Sequence, residues 1–152
     1  MIEPRLRQAI AADVNALEAL EQVFPGNRLS RRSWRHLVTH GNAVILVAED
    51  DELLGNAVVL FRKGSSLSRL YSLVVAPAAQ GRGLGKQLLR AAEAAAQARG
   101  CSAMTLEVRE DNHSALALYQ HAGFKTGQRL EDYYQDGGTA LRMSKRLGWV
   151  ER

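Results

Sequence analysis

Leu70-Tyr71-Ser72-Leu73-Val74-Val75-Ala76-Pro77-Ala78-Ala79-Gln80-Gly81-Arg82-Gly83-Leu84-Gly85 decides how the rest of the chain is read. An apolar strand runs into a glycine-spaced turn, and the turn opens a long stretch with helical spacing. A helix N-terminus carries N–H groups without intrahelical partners, and the helix dipole adds partial positive charge. Glycines bring the main chain close to a ligand, because no Cβ intervenes and positive φ is accessible. Arg82 and Lys86 add mobile positive charge beside it. The segment therefore reads as the holder of a phosphate-bearing ligand. A glycine-rich turn without a ligand is the plain alternative.

Spacing narrows the ligand. A Walker loop needs a glycine five residues before its Gly-Lys pair and Ser or Thr after it. Here Gln80 stands at the first position and Gln87 at the second. A dinucleotide fingerprint starting at Gly81-Arg82-Gly83 needs a glycine where Lys86 stands, so it fails too. What remains is Gln-x-x-Gly-x-Gly at Gln80, Gly83 and Gly85. This pattern resembles the acetyl-CoA signature of the GNAT N-acetyltransferases. The resemblance implies that Gln80, Gly81, Arg82, Gly83, Leu84, Gly85 and Lys86 surround a pyrophosphate.

With 152 residues, the chain suits one domain over 1–152 with a real core. Hydrophobic residues make up 46% and charged residues 24%, as in ordinary globular proteins. Cys101 is the single cysteine, which excludes an intramolecular disulfide and suits a reducing compartment. It reads as a small core residue, since nothing marks a base for it. The charged start, Met1-Ile2-Glu3-Pro4-Arg5-Leu6-Arg7, lacks the apolar core of a signal peptide. No apolar run approaches the roughly 20 residues needed to cross a bilayer. The expectation is a soluble cytoplasmic protein without a membrane partner. Its net charge of +4 suits an anionic partner without choosing one.

Arg5 to Ile10 reads as a strand, and Asp13 as the cap of a helix to about Val23 with Val14, Leu17, Leu20 and Phe24 inward. Phe24-Pro25-Gly26-Asn27 breaks it. Ser30 caps a second helix to Thr39, with Trp34, Leu37 and Val38 facing inward. Arg28, Arg31, Arg32 and Arg35 give this region a basic face, solvated or attractive to a substrate or ribosomal surface. His36 and His40 have zinc-like i, i+4 spacing, but no further ligand motif accompanies them, so no metal is expected. Ala43 to Glu49 and Leu53 to Phe61 form a hairpin around Asp50-Asp51. Ser66 to Val75 is a strand stopped at Pro77. A helix follows to Arg99, stopped by Gly100. Ala103 to Arg109 is a strand, Asn112 or Ser114 opens a helix through Gln120, and Gly123 ends it. Phe124 to Leu130 and Thr139 to Lys145 complete a six- to seven-stranded sheet with about four helices. Strands and helices alternate only in the second half, so this α/β chain should build a mixed sheet.

Met104, Leu106 and Val108 share one face of their strand, leaving Thr105, Glu107 and Arg109 on the other. A mid-strand carboxylate needs solvent or a partner, so a polar cleft should lie against Glu107. Glu107-Val108-Arg109, Asn112, Leu118-Tyr119 and Gly123-Phe124 closely resemble the bacterial ribosomal-protein-alanine N-acetyltransferases of the GNAT superfamily. Tyr133-Tyr134 and Ala140-Leu141-Arg142-Met143 extend the likeness, which covers Leu70 to Lys145 well and the N-terminal third loosely. It implies the GNAT fold, acetyl-CoA as cosubstrate, and acetyl transfer to a primary amine by direct attack in a ternary complex. It further implies Glu107 as base acting through water, Tyr119 as acid, and Asn112 as a coenzyme contact. Backbone N–H groups at Leu73, Val74 and Val75 would bind the pantetheine arm and polarise the thioester. Tyr133 and Tyr134 would line the acceptor groove or cover a hairpin.

The chemistry suits those residue types. An α-amine has a pKa near 8, so a carboxylate base has modest work at neutral pH, while a phenol near 10 stays protonated. The Pro-Trp that the ribosomal-protein enzymes carry after the first helix is Pro25-Gly26 here, with Trp34 the nearest tryptophan. The acceptor therefore stays open between a protein N-terminus, a lysine, and a small amine such as a polyamine, amino acid or antibiotic. Two rival classes remain, a non-catalytic acyl-CoA-binding module and a basic RNA- or ribosome-associated protein. The second ranks last because it lacks interleaved aromatics. Monomer and homodimer are both open.

Overall fold

The computed structural model describes residues 4–24 and 28–148. The expected break at Pro25-Gly26-Asn27 lies outside them, as does the start of the chain. The elements run β1 (Arg5–Gln8), α1 (Val14–Glu21), α2 (Arg31–Thr39), β2 (Ala43–Glu49), β3 (Leu53–Phe61), β4 (Leu67–Val75), α3 (Leu84–Ala98), β5 (Ala103–Arg109), α4 (His113–His121), β6 (Lys125–Leu130) and β7 (Ala140–Arg146). Ser30 caps α2 by accepting the Ser33 N–H at 3.0 Å, as its position predicts.

Asp13 is a correction. It precedes α1 but has helical dihedrals and makes no side-chain cap to that helix. Its carboxylate turns back instead, accepting the Ile10 N–H at 2.7 Å and both terminal nitrogens of Arg7. A 3-10 turn over Ala11–Asp13 results, β1 ends at Gln8, and α1 ends at Glu21 rather than Val23. The half-buried Arg7, six residues back on β1, outcompeted the local cap.

The seven strands form one mixed sheet in the order β1-β2-β3-β4-β5-β7-β6. All neighbours are antiparallel except β4 and β5, which are joined through α3 and run parallel. Val14, Leu17 and Trp34 of the first two helices close over Ile45, Val47 and Val58 on one face. On the other, Leu84, Leu88, Leu89, Ala92 and Ala96 of α3 and Tyr119 of α4 pack on Ala57, Val59, Leu70, Met104, Leu106 and Met143. Burying each such Leu is worth about 1.5–3 kcal/mol. The first pair of helices packs on β2 and β3. Thr105, Glu107 and Arg109 consequently remain partly open on that face, while Met104, Leu106 and Val108 are buried.

Gly55 fixes how closely α3 approaches. A Cβ there would lie 2.7 Å from the Val74 carbonyl oxygen and 3.1 Å from Leu88 Cδ1. Gly55→Ala is expected to destabilise the fold by about 1–3 kcal/mol through overpacking. Gly41→Ala, with nothing within 4 Å of the new carbon, should stay within about 0.5 kcal/mol. Urea unfolding of the two variants measures the contrast, and equal midpoints would refute the close approach.

Candidate active site

The parallel pair β4/β5 holds register only from Leu67/Ala103 to Leu70/Leu106. The next residue, Tyr71, is a bulge: Val58 of β3 opposes Ser72 while Val59 opposes Leu70. A bulge bends and twists its strand. Beyond it Leu73, Val74 and Val75 pair with Ala57, Asn56 and Gly55 on one side and with no strand on the other. A cleft thus opens between the C-terminal halves of two parallel strands, with main-chain polar groups of β4 along one wall.

β4 then leads through Pro77–Ala79 into the glycine turn. Gly81 and Gly83 have φ of +86° and +78°, values that L side chains rarely adopt, so glycine is required at both for conformation. Gly83 is the N-cap of α3 and no side chain caps it. The first α3 N–H groups therefore point outward, as an anion site requires. At Gly85 an added Cβ would meet Leu118 Cδ2 at 3.6 Å and Val75 Cγ2 at 3.9 Å, placing the ends of β4, α3 and α4 together. Gln80 turns back, its amide donating to the Val75 carbonyl at 3.1 Å and bracing the turn. Arg82 is exposed, and Lys86 lines a recess between α3 and α4 with Arg90 and His121. Asn112 caps α4, accepting the Ala115 N–H at 3.2 Å.

Glu107 is held more tightly than its sequence suggests. Its side chain is 7% exposed between two guanidiniums. Arg69 donates Nε at 2.9 Å and places Nη2 at 2.7 Å, both on Oε1, and Arg142 donates Nε to Oε2 at 2.9 Å. A carboxylate has about four acceptor sites, so Oε2 keeps one open. Arg142 lies directly across from Glu107 in the β5/β7 register, and Arg69 lies diagonally across from it on β4.

Tyr119 is buried in α4, edge-on to Phe124 at 5.8 Å. Burial, with the neighbouring Tyr134 hydroxyl, pushes its phenol up to about 12. Among the described residues no side-chain hydrogen bond engages that hydroxyl. Tyr134 is itself pushed up, first by burial and then by Tyr133, while Arg109 opposes the rise and Glu107 adds to it. The loop carrying Tyr133 and Tyr134 is fastened by Arg109, which lies 4.2 Å over the Tyr134 ring and 3.0 Å from Asp136. Gly138 makes room for it, since a Cβ there would sit 2.5 Å from Arg109 Nη1.

Beside the cleft, Leu29, Arg32, Ser33, His36, Leu60 and Tyr71 line a recess of about 440 Å³. Of the basic cluster, Arg31 pairs with Glu18 at 3.0 Å and Arg28 donates to the Gln22 and Phe24 carbonyls. Arg32 alone of the four lines this recess. His36 and His40 stack at 4.3 Å, and no group of three or more His, Cys, Asp or Glu is placed to hold a metal among the described residues. Cys101 is buried at the α3–β5 turn. Also among the described residues, no helix is long and apolar enough to cross a membrane. Sequence reasoning missed Arg69 and Arg142. The available signal was a charge of alternating sign inside each of three strands, Arg69, Glu107 and Arg142.

Residues 12–124 match the acetyltransferase (GNAT) family. The chain belongs to the GNAT family. An N-alpha-acetyltransferase RimI of Mycobacterium tuberculosis is 44% identical over 80 residues, covering 52% of this chain and 49% of that one. A mycothiol acetyltransferase of Renibacterium salmoninarum is 44% identical over 59 residues, 39% of this chain and 18% of the other. The chain thus spans about half or less of the length of the curated relatives it matches. The ribosomal-protein-S18-alanine N-acetyltransferase of Escherichia coli shares the GNAT fold at TM-score 0.85 and 22% identity, covering 98% of this chain and 97% of that one. The mixed seven-stranded sheet with four helices is therefore a GNAT fold, as the motifs implied.

The raised Tyr119 pKa has a direction that can be checked. Burial disfavours the phenolate, so the phenol's contribution to stability is fully present below pH 10 and lost as pH rises towards about 12. The difference in phenolate absorbance between the wild type and Tyr119→Phe should appear only near pH 12. A step near pH 10 would contradict the burial.

Proposed function

We propose that this GNAT chain transfers an acetyl group from acetyl-CoA to a primary amine, the α-amine of a protein or peptide N-terminus, and that residues 1–152 act as one such domain. The observation carrying this reading is a carboxylate fixed by two guanidiniums on β5, the strand that parts from β4, while β4 leads to an uncapped, glycine-turned helix N-terminus whose Gly85 lies against Leu118, the neighbour of the buried Tyr119 phenol. The α3 N–H groups, with Arg82 and Lys86, would hold the pyrophosphate; Asn112 would add a contact from α4. The unpaired edge at Leu73, Val74 and Val75 would hold the pantetheine arm and donate to the thioester oxygen as it gains charge.

Glu107 takes the amine proton at Oε2, directly or through one water, while the nitrogen lone pair attacks the thioester carbon. The C–N bond forms, the C–S bond breaks, and the sulfur leaves with its electron pair. Tyr119 meets that sulfur. A phenol near 12 is a weaker acid than a thiol near 8.5, so Tyr119 stabilises the thiolate by donating a hydrogen bond rather than by surrendering its proton. Direct attack suits a chain whose one thiol, Cys101, is buried at the α3–β5 turn. Tyr133 and Tyr134 wall the acceptor side. The N-alpha-acetyltransferase relatives support the α-amine, and the mycothiol acetyltransferase likeness favours a small amine as the second reading.

Tyr119→Phe should lower kcat by about 10²–10³ while coenzyme affinity stays nearly unchanged. Thiol release from acetyl-CoA with a peptide acceptor, alongside calorimetric titration of coenzyme A, measures both. Unchanged kcat would remove Tyr119 from the chemistry.

A further inference from the structure

Charge is unbalanced around Glu107. One carboxylate, 7% exposed, lies beneath two guanidiniums that are 44% and 43% exposed. The negative charge is buried and a net positive charge faces the cleft. Each guanidinium carries five N–H donors. Arg69 directs Nε and Nη2 to Glu107 and Tyr133, leaving Nη1 without an acceptor among the described residues. Arg142 directs Nε to Glu107 and Nη1 to Gln128, leaving Nη2 likewise.

Further cations line the neighbouring recesses. Arg62 lines the recess next to Arg69, and Arg32 with His36 lines the one under α2. Two carboxylates of the overhanging loop are used internally, Asp136 with Arg109 and Glu131 with Arg129, while Asp132 pairs with no cation among the described residues. A cationic acceptor would be repelled here, and an ammonium brought beside two guanidiniums is driven to its neutral, nucleophilic form.

Resting on the acetyl-transfer reading above, we infer that the acceptor carries a carboxylate next to its primary amine, and that Arg69 and Arg142 read it with their spare N–H donors. A peptide N-terminus with Asp or Glu at its first or second position has this chemistry. The carboxylate takes two charge-assisted hydrogen bonds while the amine reaches Oε2 of Glu107. Arg69 and Arg142 therefore do two things, orienting the base and selecting the acceptor.

The test uses the full chain, acetyl-CoA and peptides identical except for Asp, Asn or Lys at the second position, with free aspartate and glutamate as a separate arm. Thiol release gives the rate and product mass gives the acetylated site. The Asp peptide should exceed the Asn peptide in kcat/KM by about tenfold and the Lys peptide by more, chiefly through KM. The ratio should shrink as salt rises. Arg69→Gln and Arg142→Gln, each checked for folding by thermal melting, should bring the Asp/Asn ratio towards unity. That ratio is read independently of overall activity, so a general loss does not imitate it. Equal rates for the Asp, Asn and Lys peptides, or a preference for Lys, would overturn the inference while leaving acetyl transfer standing. Acetylation of the free amino acids alone would overturn the peptide source. Acetyl-CoA binding with no amine acetylated would overturn both readings.

Discussion

Two parallel strands that pair over four residues and then separate set the layout of the functional face. Parallel pairing demands a crossover, and α3 supplies it, so the glycine turn must lie where β4 leaves the sheet. The bulge at Tyr71 twists β4 away from β5 just before that exit. Main-chain donors that a continued ladder would have consumed become available, next to a helix N-terminus that lacks a side-chain cap. Strand separation and uncapped helix are the same local event seen from two sides.

The core explains why the separation persists. α3 buries five apolar side chains against one face, and Gly55 lets Leu88 approach the backbone of β3. On the opposite face the first two helices stop at β2 and β3, so no helix supplies a partner for Glu107. Arg69 and Arg142 fill that need from the neighbouring strands. A buried carboxylate stripped of one partner is costly, and that cost holds both guanidiniums in place and leaves their spare donors exposed.

The same accounting governs the loop between β6 and β7. Arg109 lies over Tyr134 and reaches Asp136, with Gly138 vacating the space beneath it. Asp136, held below the usual carboxylate range by the Gly138 N–H and by Arg109, keeps that anchor charged. Tyr133 and Tyr134 are thereby presented over the cleft by a loop otherwise rich in turn-forming residues.

Much of this was legible in one dimension. Period-2 alternation in Ala103 to Arg109 predicted both the buried face and the polar one, because strand geometry alone decides which side chains share a side. The glycine spacing from Gly81 to Gly85 excluded two phosphate loops and marked a third, because positive φ and an N-terminal dipole are local properties. Boundaries near caps and glycines came within a residue or two for the same reason. Asp13 did not follow its cap signal, since Arg7, six residues back on β1, offered a stronger partner. Arg69 and Arg142 were invisible as a pair because 73 positions separate them, and only the sheet order β4-β5-β7 brings both onto Glu107. Short-range stereochemistry was written in the sequence; the charge distribution of the cleft, which depends on strands far apart in the chain, belongs to the tertiary structure.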